Sequence, residues 1–379
     1  MDINSKKRIL SLAAASVLAI TSTSCGMIEM RDSNVDTEVG EYTADVMLAP
    51  AERYNYVETM SESMAEAKEE AQETKTVKVA LSGDIRIDDS IVKDAANRAS
   101  EGKSYSFIRM FTGIYHTINT ADISFGSFSA ADMPYGSENT TPVECVAALS
   151  ELGYDILDIT DDDGTEAKAQ EYGAVYIDAA SEDNLNLREV DGVRFAFLAA
   201  DIGAAPEYAL SCTGEDLEYA DFMSDVLVVS VNWDEGMTDA DKHTAAAELA
   251  ANGADVIIGD GDSIGAVEWI DTGDGTNTLA VYSLGNLLCT SDEYQDLCGG
   301  LLEFEVTVEG GTIGISGVKL NPTVVYYTTG NSDYQIFALE SFSDDLTASH
   351  VTADVCFDNM YALVDGIVSD EYLSENLGR

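Results

Sequence analysis

From Val77 onward, short runs of β-branched and apolar residues, each closing on Gly or polar positions, alternate with amphipathic helical stretches. The runs are Val77 to Ser82, Asp155 to Thr160, Val193 to Ala199, Val226 to Val231 and Asp255 to Ile258. Helical patterns at Val143 to Leu152 and Thr238 to Asn252 precede the second and the last of them. Strands interleaved with helices bury their apolar faces best as a largely parallel sheet covered by helices, so the pattern predicts an α/β domain. Three later runs, Thr278 to Ser283, Leu301 to Val308 and Thr312 to Leu320, come without intervening helices. They predict an antiparallel addition, with Glu309-Gly310-Gly311 as a hairpin turn. The main domain is thus expected over 76–330. Residues 331–379, mixed in pattern and acidic, read as a C-terminal extension.

The segment before Val77 has a different character. Lys6, Lys7 and Arg8 precede an apolar run from Ile9 to Ile20, too short to span a bilayer and suited to the core of an export signal. The run leads to Thr23-Ser24-Cys25-Gly26, a small-residue setting in which Cys25 would be lipidated and become the mature N-terminus, although Ser22 stands where such boxes usually carry Leu. Ordinary cleavage near the same residues is the alternative, and both readings send the chain out of the cytoplasm. It would sit at the outer face of the cell membrane as a lipoprotein, or be secreted. Residues 26–75 read as an acidic tether followed by a helix, because Val57, Met60, Met64, Ala67 and Ala71 recur at spacings of three and four. That helix would be a stalk or would lie on the main domain.

An apolar fraction of 45% is enough for a substantial core, and 70 Asp and Glu against 19 Lys and Arg give a net charge of −51. Such a field repels nucleic acid and anionic lipid headgroups, which excludes them as partners unless cations mediate. Beyond Cys25 the cysteines are Cys145, Cys212, Cys289, Cys298 and Cys356, without a C-x-x-C pair and so without a thiolate zinc or redox motif. Cys289 and Cys298 are near enough in sequence for a disulfide across a loop.

Ligands of α/β sheets collect at the carboxyl ends of strands. The residues there form a series: Gly83-Asp84-Ile85, then Gly126-Ser127-Phe128-Ser129 after a short run from Ala121 to Phe125, then Asp161, Asp162, Asp163 and Gly164. Asn232-Trp233-Asp234-Glu235, Gly259-Asp260-Gly261-Asp262 and Tyr282-Ser283-Leu284-Gly285-Asn286 complete it. In order and spacing, over about Lys75 to Tyr327, this series resembles the CapA family of capsule (poly-γ-glutamate) synthesis proteins. Its most specific piece is Val281 to Asn286, with Gly83, Trp233, Ser283, Gly285 and Asn286 among the matched positions. The resemblance implies a metallophosphoesterase-like (calcineurin-like) fold, a layered α/β/β/α sandwich with mixed sheets.

Several ligand positions of that family are altered. Ser127-Phe128-Ser129 replaces Asn-Leu-Glu, Thr160 to Asp163 replaces Ala-Asn-Asn-His, and Asn232-Trp233-Asp234 replaces His-Trp-Gly. Gly259 to Ser263 stands where the family has a histidine-rich segment. Of the metal-site residues only Asp84 is unchanged, and the three histidines, His116, His243 and His350, fall outside every matched motif. Without imidazole, affinity for transition ions falls. An oxygen set of Asp84, Asp161, Asp163, Asn232, Asp260 and Asp262 would suit Mg²⁺ or Ca²⁺, with Mn²⁺ as a further candidate, but would generate hydroxide poorly. Each of these residues also has an ordinary structural reading, since Asp after a strand caps helices and makes turns. The leading expectation is therefore an exported binding component of capsule or envelope polymer assembly with a degenerate metal site. Its partners would be an anionic envelope polymer or the capsule-synthesis proteins. A hydrolase or phosphoesterase using a carboxylate-bound ion is the alternative.

Overall fold

A computed structural model of the chain describes residues 74–130, 143–159, 175–179, 184–203, 209–234, 236–273, 275–309, 312–374 and 377. The signal with Cys25, the tether and stalk up to residue 73, Asp161 and Asp163 lie outside the described residues. The described residues within 76–307 and 314–379 form one compact unit.

In chain order the elements are β1 (Lys75–Ile87), α1 (Asp89–Asn97), a 3₁₀ turn (Ile108–Phe111), α2 (Tyr115–Thr120), β2 (Ile123–Ala130), α3 (Val143–Leu152), β3 (Ile156–Ile159), β4 (Val175–Ile177), β5 (Leu185–Val190) and β6 (Val193–Ile202). They continue as α4 (Ala209–Met223), β7 (Val226–Trp233), α5 (Asp239–Ala251), β8 (Val256–Gly259), β9 (Val267–Asp271), β10 (Asn277–Val281), β11 (Asn286–Leu288), β12 (Cys298–Glu309), β13 (Thr312–Thr328), β14 (Ser332–Ala338), α6 (Asp344–Ser349) and α7 (Phe357–Asp365).

The strands make two sheets. One has the order β14-β13-β12-β1-β2-β3-β4 with β11 also paired to β1, and the other the order β5-β6-β7-β8-β10-β9. Both are mixed: β1, β2, β3 and β4 run parallel, as do β6, β7, β8 and β10, whereas β14, β5 and β9 pair antiparallel with their neighbours. Phe125 of β2 stacks on Phe197 of β6 at 5.6 Å between centroids, so the sheets face each other across a buried layer. On the opposite side of the second sheet, Leu217 and Ala220 of α4 and Ala245, Ala246, Leu249 and Ala250 of α5 pack on Leu198, Leu227, Val229 and Ile257. Strands buried on both faces have near-continuous apolar runs, which is why β7 and β8 were legible without alternation. The α/β class and the two mixed sheets expected from the sequence are those observed.

The strands that the sequence pattern does not predict, β4, β5, β9, β11 and β14, are short or lie at sheet edges, and the 15-residue helix α4 is not predicted either. The β5–β6 hairpin turns at Asp191 and Gly192, both at positive φ (51° and 74°), the backbone a tight two-residue hairpin demands. Residues from 331 on also belong to the compact unit. β14 pairs with β13, and buried Asp94 of α1 accepts from Asp333 N and Tyr334 N at 3.0 Å each while pairing with Arg98 at 2.8 Å. Cys289 and Cys298 are buried free thiols.

Candidate functional site

The site is built where β1 bends. Ser82 pairs with Gly126 and Ile85 with Phe128, so Gly83 and Asp84 together face Ser127 alone, a bulge that re-aims Asp84. Gly83 must be glycine, because a Cβ there would lie 2.0 Å from the carbonyl oxygen of Gly285, the same oxygen that accepts from Asp84 N at 2.9 Å. Asp84 therefore stands inside the strand rather than just beyond it, with further pairing to β2 and β11 carrying β1 past the Gly-Asp step.

The carboxylate of Asp84 is surrounded. Ser127 Oγ donates to Oδ1 at 3.3 Å, Ser129 Oγ donates to Oδ2 at 3.0 Å, and Arg86 Nε lies 3.5 Å from Oδ2. Burial lifts its pKa to about 6, with Arg86 and the two serine hydroxyls pulling down and the charge of Asp260 pushing up. Asp260 Oδ1 accepts from Trp233 N at 2.9 Å, and burial raises its pKa against that bond and the pull of Lys242 and Arg86. Asp262 is exposed and bonded through Oδ1 to Arg86 Nη1.

Other sequence candidates hold the frame. Ser283 Oγ donates to Gly261 O at 3.0 Å and accepts from Gly285 N at 2.9 Å. Asn286 Nδ2 donates to Asp262 O at 2.9 Å and Asp296 O at 3.2 Å, while its buried Oδ1 has no hydrogen-bond partner among the described residues. Trp233 Nε1 donates to Tyr282 O at 3.0 Å, a packing role. Gly285, at φ 63°, has no room for a Cβ beside Cys298 O, 2.6 Å away. Asn232 is turned to Asp201, to which its Nδ2 donates at 2.9 Å.

Two residues that the sequence reading passed over enter here. Asp158 lies in the middle of β3, fully buried, accepting at Oδ2 from Ser230 Oγ of the facing sheet, with Oδ1 unpaired among the described residues. Burial raises its pKa to about 7, against the Ser230 bond and helped by Asp178, Asp260 and Asp84. Its signal was a carboxylate inside an otherwise apolar strand. Arg86 comes two residues after Asp84, just past the Gly83-Asp84-Ile85 motif.

Beside Asp84 and Asp260 lies a cavity of about 10 Å³, lined also by Ser82, Ser127, Ser230 and Ser283 among others. It has room for about one water. No histidine reaches it. His350 is tied to Val325 O and Thr352, and His243 Nδ1 bonds Glu268 at 2.7 Å and Tyr282 Oη at 3.0 Å on the outer side of the second sheet. Among the described residues no group of three or more His, Cys, Asp or Glu is placed to hold a metal ion. These donors do not fit a dinuclear transition-metal centre.

No protein-family model matches the chain, and no curated protein matches it in sequence. Solved structures do. A hypothetical protein from Thermus thermophilus is similar at 13% identity and a TM-score of 0.40, with 65% of this chain and 99% of that one covered. A novel archaeal phosphodiesterase is similar at 12% identity and a TM-score of 0.26, covering 64% and 99%. At such scores neither likeness bears on the chemistry of this chain.

Proposed function

We propose that the chain is a CapA-like, non-hydrolytic binding component in the assembly or anchoring of an envelope polymer of the poly-γ-glutamate type, exported and held at the outer face of the membrane through Cys25. The observation that carries the non-hydrolytic part is the state of Asp84. Its oxygens are taken by Ser127 and Ser129 hydroxyls and faced by the Arg86 guanidinium instead of being free for an ion. The polymer role rests on the order of sequence motifs and on the export segment.

Metal analysis of the purified chain, joined to a phosphoesterase assay with Mn²⁺, Mg²⁺ and Ca²⁺, tests the proposal. Substoichiometric metal and no turnover are expected. Stoichiometric metal with turnover abolished in Asp84→Ala would establish the carboxylate-metal hydrolase instead.

A further inference from the structure

The Asp84 carboxylate at the cleft is not left without positive charge. Arg86 reaches it from β1, with Nε 3.5 Å from Asp84 Oδ2 and Nη1 bonded to Asp262 Oδ1. One guanidinium thus spans a residue of the bulged strand and a residue of the loop after β8. These are two of the places from which the sequence motifs would have drawn ion ligands. Its charge also acts on Asp260. A guanidinium stays protonated at any working pH and offers a fixed fork of donors, so it can hold two carboxylates as a divalent ion would. It cannot polarise a water as an ion does.

We propose that Arg86 is a built-in cation between Asp84 and Asp262, standing in for a divalent ion and excluding one. The inference rests on the non-hydrolytic reading above and adds the reason for it: the carboxylates of Asp84 and Asp262 are competent oxygen donors whose charge is already met by one guanidinium. Removing the guanidinium should therefore leave two carboxylates open to a hard divalent cation that keeps several of its waters, since Mn²⁺, Mg²⁺ and Ca²⁺ all accept carboxylate oxygens.

The test is Mn²⁺ titration of the full chain, followed by the paramagnetic resonance signal of the free ion. The proteins compared are wild type, Arg86→Gln, Arg86→Lys and the double variant Asp84→Asn with Arg86→Gln. The double variant separates this site from weak binding to the acidic surface. Arg86→Gln should gain about one Mn²⁺ per chain at least tenfold tighter than wild type, and the gain should vanish in the double variant. Arg86→Lys, which keeps the charge, should behave as wild type. Should Arg86→Gln not fold, the thermal midpoints of wild type and Asp84→Asn with and without Mn²⁺ decide, because a site closed by Arg86 predicts the same small shift in both. A folded Arg86→Gln without the gain overturns the proposal, as does wild-type Mn²⁺ binding lost on Asp84→Asn. Neither result alone overturns the non-hydrolytic reading, which fails if wild type turns over a phosphoester with Mn²⁺, Mg²⁺ or Ca²⁺.

Discussion

Asp158 occupies an inward position of β3, where its strand neighbours Ile156 and Ile159 are fully buried and the nearest polar partner is a serine of the facing sheet. A carboxyl placed so favours its neutral form, and its folded pKa of about 7 lies above the ordinary 3.8 of the unfolded chain. The sign follows from linkage: the folded state holds this proton while the unfolded state has released it. The stabilising contribution is complete below pH 3.8 and is lost as pH rises toward 7, at about 1.4 kcal/mol for each unit of separation. Asp84 adds a smaller loss of the same sign between 3.8 and about 6. Asp158→Asn keeps a partner for Ser230 and removes the titration. Urea midpoints measured from pH 4 to 8 should fall less steeply for the variant, which should be the more stable protein above pH 7.

At the scale of elements, the approach of β1 to the Gly285 loop decides where Asp84 points. A methyl at residue 83 would press into a backbone carbonyl, which cannot swing aside as a side chain could. Gly83→Ala should cost about 2 kcal/mol or more in chemical denaturation, in the range of overpacking strain. Gly314→Ala in β13, where no atom lies within 4 Å of the added methyl, should change stability little. The helices are better signposted than this strand. The range predicted for α3 is the range observed, and α5 begins at a capping box in which Thr238 and Asp241 bond each other's backbone N–H. Local sequence carries such caps, whereas the bulge in β1 exists only because β2 and β11 pair with it in different registers.

For the whole molecule, the net charge of −51 dominates encounters with other polymers. Lys93, Arg98, Lys103 and Arg109 lie near one another in the sequence between the first two motifs and would offset it locally, but Arg98 is already committed to Asp94 and Asp333. Poly-γ-glutamate should therefore bind immobilised protein only when Ca²⁺ or Mg²⁺ is present and be released by a chelator, as biosensor measurements at low salt would show. Retention without divalent ions would point to a basic surface outside these four residues.

The order of strands and helices, the parallel central runs and the matched positions from Gly83 to Asn286 were determined by the sequence itself, because burial on both faces leaves an unbroken apolar signal and turns need particular residues. The sequence also carried the absence of histidine from every one of these motifs. Tertiary structure alone decided which groups meet at Asp84. Arg86 and Asp262 are 176 positions apart, and Asp158 and Ser230 72 apart, so no local pattern marks either pair. They meet because two sheets close on each other, and the same closure buries most of the Asp84 side chain beside the Arg86 guanidinium.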